Sequence, residues 1–399
     1  MLIGLVGRPN VGKSTLFKAA TLADILIANY PFATIKPNHG MGYVKIEDLA
    51  PEFGKVSEPR EGFVKDGDGV KGKWRFVPID LYDVAGLVEG ASEGKGLGNA
   101  FLSDLAGADA LIHVVDMSGE TDAEGKPTDK ENYYPGDDLK VIENELDKWY
   151  LGILLKVWKG FARTVEMQKK KLSDEVARQF SGLKVDAEDV KSVVLKSGLN
   201  GEKPSAWSEA DLMKFASTLR KETKPMIIAA NKMDKPNSKG NFEKLSAEFD
   251  YPIVPTFAEG ELALREADKH GLISYTPGEN DFEIIKDLNE KQKEALEEIR
   301  KVLKEYGSTG VQEILNKAVF DLLDYLAVFP AGDKLVDTKG NVLPDCYLMK
   351  KGSTALDFAF RLHSDIGKGF VKAIHVKTKK AVGKDYELKH RDGLEIMTK

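Results

Sequence analysis

Apolar residues gather into short, nearly continuous runs along the chain: "LIGLV" at 2–6, "FVPIDLYDV" at 76–84, "ALIHVVD" at 110–116, "PMIIAA" at 225–230 and "YPIVPT" at 251–256. Runs of this length, rich in β-branched residues and without strict polar alternation, predict strands of a sheet covered on both faces. Helix-period segments lie between them, so the predicted class is α/β with a doubly wound, mainly parallel sheet. One interval is out of proportion. Asp116 and Pro225 are separated by 108 residues, far more than one crossover helix requires, and an inserted domain accounts for the excess. Residues 117–136 are polar and turn-rich and predict a loop. From Asp137 to Phe180 the chain has no proline and carries apolar residues at helical spacing. Val141, Leu146, Trp149, Leu154, Trp158 and Phe161 form the expected buried stripe of a long helix or helical hairpin, an arm of coiled-coil type.

After residue 258 the pattern is helical again, through "LNEKQKEALEEIRKVLKEY" and "TGVQEILNKAVFDLLDYLAVF", until the Pro330–Gly332 break. The last 70 or so residues alternate short strands and turns. The expected division is therefore 1–130 and 223–328 for one split α/β domain, 131–222 for the helical insertion and 329–399 for a small C-terminal domain.

Composition narrows the setting. A chain of 399 residues is long for one hydrophobic core. Its single cysteine, Cys346, cannot make an internal disulfide and fits a reducing compartment. No run reaches the roughly 18 apolar residues that span a bilayer, and "MLIGLVGRPN" has neither a basic flank nor a cleavage site, so a soluble, cytoplasmic protein is expected. The net charge of -6 gives no general nucleic-acid footprint, yet residues 331–399 hold 14 Lys and Arg against 9 Asp and Glu. "HVKTKK" at 375–380 and "KKK" at 169–171 read either as RNA contacts or as solvated faces.

"GRPNVGKST" at 7–15 satisfies G-x-x-x-x-G-K-[ST] between a predicted strand and a predicted helix, the context that makes it a phosphate loop. Gly7 and Gly12 let backbone N–H groups converge on phosphate oxygens at a helix N-terminus, with Asn10, Val11 and Thr15 completing the loop. Lys13 is expected to reach the β- and γ-phosphates and Ser14 to ligate Mg²⁺. "DVAG" at 83–86 follows: Asp83 for the metal shell and Gly86 for the terminal phosphate. In "NYPFATIKPNHG" at 29–40, Thr34 is the expected third contact to Mg²⁺ and γ-phosphate, with a plain strand threonine as the alternative. "NKMD" at 231–234 supplies Asp234, whose carboxylate can accept from the ring N–H and exocyclic amine of guanine, a donor pair adenine lacks. Asn231 would brace that site and the Lys232 stem would cover the base.

"GRPNVGKST", "NYPFATIKPN" and "DVAGLVEGASEGKGLGNAFL" resemble the Obg family of translation-factor-class GTPases. The helical insertion and the C-terminal stretch from "LPDCYLMKKGSTALDFAF" onward narrow the likeness to its YchF-like branch, whose small β-grasp tail is a TGS domain. The resemblance implies a P-loop GTPase core, a helical arm and a ubiquitin-like tail acting around ribosomes or RNA. Two positions depart from that pattern. The YchF branch usually carries N-x-x-E and favours ATP, whereas Asp234 is an aspartate here. The following base contact is normally "SA", and here "TFAE" sets Phe257 before Ala258, whose N–H is expected to donate to guanine O6.

Leu87, which follows "DVAG", has no group that orients or deprotonates water. Two devices would supply charge at the transition state: a K⁺ ion bound with the help of Asn10, or a residue of a partner. Three functions remain open at this point: a monomeric, Mg²⁺-dependent GTPase switch with slow intrinsic turnover, cycling between GTP and GDP; a nucleotide-gated ribosome or RNA binder with negligible hydrolysis; and an ATPase.

Overall fold

In the computed structural model, residues 1–21, 39–84, 90, 105–121, 126, 133–332 and 334–399 are described. The main sheet contains β1 (Leu2–Val6), β2 (His39–Glu47), β3 (Phe63–Gly67), β4 (Val70–Asp83), β5 (Ala110–Asp116), β6 (Met226–Asn231) and β7 (Ile253–Pro255). Its order is β2-β4-β1-β5-β6-β7, with β3 on β4. The β4-β1-β5-β6-β7 pairs are parallel and β2 and β3 run antiparallel to β4. Asp68 and Gly69, both at positive φ, turn the β3–β4 hairpin.

Successive strand residues point to opposite faces, which divides the core in two. Ile3, Leu5, Ile112, Val114, Ile227 and Ala229 pack under α1 (Lys13–Thr21), while Val6, Leu111, Val115, Met226, Ile228 and Ala230 face the other side. That second face is covered by the first half of α2 (Gly136–Leu155), through Leu139, Ile142 and Leu146. The second half of the same helix, with Tyr150 and Leu154, belongs to a separate core shared with α3 (Trp158–Met167), α4 (Leu172–Gln179), α5 (Ala187–Ser197) and α6 (Glu209–Thr223). Trp158 stacks on Trp207 there, centroids 5.2 Å apart. Capping boxes start α5 at Asp186/Asp189 and α6 at Ser208/Asp211.

The stretch 137–180 is thus not one long helix. It breaks at Val157, whose φ of -121° leaves the helical region, and again over the exposed Lys169–Lys171, with Lys169 at φ 49°. The buried stripe of α2 is Leu139, Ile142, Leu146, Tyr150 and Leu154, whereas Val141 and Trp149 are half-buried.

The chain returns through β6, α7 (Ser238–Glu248), β7 and α8 (Ala258–Lys269), then adds a hairpin, β8 (Ile273–Ser274) with β9 (Glu283–Ile284), and α9 (Glu290–Tyr306). Helix α10 (Val311–Asn316) runs on as a π-helical turn over Lys317–Leu322. "YLAVF", expected to continue that helix, is a strand instead: Asp324 at φ 53° ends the helix and β10 (Tyr325–Pro330) begins.

With β11 (Tyr347–Lys350), β12 (Phe370–His375), β13 (Ala381–Val382) and β14 (Asp392–Thr398), β10 forms a second sheet in the order β11-β10-β14-β12-β13. The first and last strands pair in parallel at its centre, and α11 (Ala355–Leu362) and α12 (Ser364–Lys368) connect β11 to β12. This is a β-grasp arrangement, and it is locked onto the main sheet. Arg75 donates to the Leu343 and Pro344 carbonyls, Arg60 pairs with Asp337 and Asp345, and Arg391 reaches Glu47, Asp48 and Glu52. Lys377 of "HVKTKK" is held by Glu52 at 2.8 Å, so part of the basic tail is spent inside the molecule. Among the described residues, no helix is long and apolar enough to cross a membrane.

Candidate nucleotide site

The ends of β1, β4, β5 and β6 deliver the site at one edge of the parallel sheet, where open α/β sheets bind their ligands. The phosphate loop leaves β1 at Gly7, whose φ is 154°, and enters α1 after Gly12, at φ 93°. A Cβ on Gly7 would stand 2.6 Å from the Val114 carbonyl oxygen, and one on Gly12 would stand 2.2 Å from Asn231 Nδ2. Both positions therefore exclude a side chain. Asn10 is exposed and takes a left-handed φ of 65°. Lys13 is buried at the start of α1 and donates to Asp83 Oδ1, while Ser14 Oγ donates to Asp83 Oδ2 at 2.9 Å. The three residues assigned to phosphate and metal thus meet around one carboxylate. Val11 is buried beneath the loop and Thr15 is half-buried on α1. Thr34, Gly86 and Leu87 lie outside the described residues.

Asn231, at the end of β6, ties the two halves of the site together. Its Nδ2 donates to the Val11 carbonyl at 2.9 Å and its Oδ1 accepts from Ala258 N–H at 3.1 Å. The Ala258 donor expected to meet a purine oxygen is therefore already bonded, and a base would have to compete for it. Lys232 donates to Asp116 Oδ2 at 2.7 Å, and Asp234 is exposed beside Lys235 at 3.4 Å. Phe257 N–H is taken by the Thr309 carbonyl, which fixes the "TFAE" turn from behind.

Several residues of the site escaped the motif reading. Asp116, almost wholly buried, accepts from Ser118 N–H and Oγ and from Thr121 Oγ1 in addition to Lys232. It holds the lysine of "NKMD" in place, and the single acid closing a strand that is apolar except for His113 is its signal. Arg8, inside the phosphate loop, is buried with Nε 2.5 Å from Asp138 Oδ1, and its guanidinium lies over the Tyr133 ring at 4.3 Å. Burial raises the Asp138 carboxyl to about 6, with Arg8 pulling in the opposite direction. His113, under the loop on β5, is fully buried with no hydrogen-bond partner for either ring nitrogen among the described residues, and desolvation lowers it to about 3. It is a neutral core residue, as its apolar strand suggests.

The chain matches the family model described as 50S ribosome-binding GTPase over residues 2–148, the G4 motif-containing domain of Obg-like GTPases of the YGR210-like kind over 229–333, and the TGS domain over 328–398. A GTP-binding protein of Methanocaldococcus jannaschii is 49% identical, covering 100% of this chain and 99% of its own. This chain belongs to the Obg-like GTPases, in their YchF-like branch. The Bacillus subtilis ribosome-binding ATPase YchF is 32% identical over 93% of this Obg-like chain and 87% of its own. A crystal structure of a GTP-binding protein from Pyrococcus horikoshii aligns with a TM-score of 0.80 at 40% identity, covering both chains completely. The Schizosaccharomyces pombe YchF GTPase, at 23% identity and a TM-score of 0.60 over 100% of this chain and 97% of its own, shares the fold. The family models thus match the P-loop GTPase core and the TGS tail on either side of the helical region.

Proposed function

We propose that the protein hydrolyses GTP to GDP and phosphate, with Mg²⁺, as a switch whose output is a ribosome- or RNA-containing partner. The observation that carries this reading is the Asn231 bridge, which joins the phosphate loop at Val11 to the base-reading turn at Ala258. A nucleotide gripped at Lys13 would then present its base to Asp234. The aspartate favours guanine, because it can accept both donors on that edge of the ring.

Ser14 Oγ and the Asp83 carboxylate, 2.9 Å apart, are hard oxygen donors of the kind Mg²⁺ takes, Asp83 acting directly or through water. When bound, Mg²⁺ neutralises charge on the β- and γ-phosphates. The other work falls to side chains and backbone. Lys13 leaves Asp83 for the phosphates, Gly7 and Gly12 let the loop close on them, and Asp116 keeps Lys232 against the base. Leu87 brings no proton chemistry, so the missing charge would come from K⁺, which Asn10 would help to hold, or from a partner group, and basal turnover is slow. Thr34 and Gly86 are assigned to the γ-phosphate on sequence. The protein works in the cytoplasm as a monomer, docking through the arm and the TGS domain.

An ATP-preferring enzyme is the second reading, favoured by the name ribosome-binding ATPase carried by the Bacillus subtilis relative. Calorimetric competition between GDP and ADP decides between them: tighter GDP supports the guanine reading and tighter ADP overturns it. Single-turnover hydrolysis in K⁺ and in Na⁺, with and without ribosomal subunits, tests the switch. No turnover under any of these conditions would leave a binding module without hydrolysis.

A further inference from the structure

Helix α2 carries two acids, Asp138 and Glu145, into the interior beside Leu139, Ile142 and Leu146, where the sheet packing calls for apolar side chains. A buried carboxylate is costly unless something charged or hydrogen-bonded meets it. Asp138 meets Arg8 of the phosphate loop, and Tyr133 Oη donates to the same carboxylate oxygen at 2.6 Å. Glu145, 0% exposed, accepts the Gly90 N–H on Oε1 at 3.0 Å. Gly90 closes the "DVAGLVEG" stretch, four residues beyond Gly86, and its φ of 87° suits a glycine. One helix face therefore bonds both Arg8 of the phosphate loop and Gly90, four residues past Gly86 in the chain. The same helix continues into the core of the arm through Tyr150 and Leu154.

We propose that Glu145 is a positioning residue for nucleotide hydrolysis: by holding the Gly90 amide it fixes the end of the "DVAG" loop to the helix from which the arm grows. This rests on the reading that the chain hydrolyses a nucleoside triphosphate. Glu145 acts through the Gly90 backbone. Losing that bond is expected to free Gly90, while Arg8 of the phosphate loop keeps its own pairing with Asp138. A displacement of about 1 Å near reacting groups costs on the order of a hundredfold in rate.

The test uses the full chain as Glu145→Ala and Glu145→Gln. Three quantities are measured: single-turnover hydrolysis at saturating GTP and Mg²⁺, calorimetric GDP affinity, and amide hydrogen exchange in the peptide containing Gly90. Glu145→Ala is expected to lose about ten- to a hundredfold in rate, keep its GDP affinity, and exchange faster around Gly90. Glu145→Gln keeps an oxygen acceptor at the same reach and is expected to stay close to the parent. A parental rate and parental exchange in Glu145→Ala overturn the proposal. So does equal loss of rate and of GDP affinity in both variants, which marks a role in folding. Should the parent hydrolyse neither GTP nor ATP, the function proposed above falls by itself, and the exchange measurement still decides the anchor: faster exchange in Glu145→Ala upholds it and unchanged exchange removes it.

Discussion

Removing the Arg75 guanidinium should weaken the docking of the TGS domain on the main sheet. Arg75 is 1% exposed, and it donates to the Leu343 carbonyl at 2.6 Å and the Pro344 carbonyl at 2.9 Å. Its Nη1 also lies 3.6 Å from Asp48 Oδ2, a carboxylate with 0% of its side chain exposed. Hydrogen bonds from a charged donor contribute about 1.5–3 kcal/mol each. Breaking a buried ion pair by deleting one partner costs about 3–5 kcal/mol, because the other charge is left uncompensated. These figures overlap, since the same desolvated groups enter both, so Arg75→Ala should destabilise the docked state by about 3–5 kcal/mol rather than by their sum. The assay is urea unfolding followed by tryptophan fluorescence, which Trp74 reports from the adjacent position on β4, together with limited proteolysis between the main sheet and β10. Adding Asp48→Asn to an Arg75→Met background should recover part of the loss. The neutral amide still accepts from Ala50 N–H and Ser57 Oγ, and the buried charge is gone. A shift below about 0.5 kcal/mol for Arg75→Ala, the range of an ordinary surface change, or no recovery in the double variant, would refute this account.

The Asp138 carboxyl, raised to about 6 by burial, binds its proton more tightly in the folded state than in the unfolded one. Its contribution to stability therefore grows as pH falls from about 6 toward 3.8 and is lost as pH rises through 6. Asp138→Asn should flatten the pH dependence of the melting temperature in that window, and an unchanged slope would reject the assignment. Leu87→Ala should leave residual single-turnover hydrolysis largely intact, since no proton passes through that side chain. A collapse in rate at unchanged GTP affinity would show that Leu87 does more.

What the sequence made legible was local. The phosphate loop could be read because Gly7, Gly12, Lys13 and Ser14 act within a few residues of one another, and the parallel strands because each is an unbroken apolar run. "NKMD" was equally readable, but the bond between Ala258 and Asn231 was not, because it depends on how two strand ends converge. Asp138 and Glu145 sat unseen in a helix of mixed charge, their partners in loops far back along the chain. The same holds for Arg60, Arg75 and Arg391: each looks like a solvated arginine until the β-grasp sheet is folded against it. "YLAVF" fits a helix as well as a strand because five apolar residues after a helical stretch suit either period, and the stop signal is Asp324 rather than a glycine or proline.

The way α2 is shared between two hydrophobic cores bears on how such an arm could be exchanged or trimmed. An insertion joined to its host by loops could be swapped as a cassette, but here the host's second face would be laid bare from Leu139 to Leu146 if the whole helix went with it. A viable transplant must keep the opening turns of α2 and splice near Trp149, where the helix passes from one core to the other. Variation among arms is therefore expected to concentrate beyond that point, leaving the root tied to the nucleotide loops.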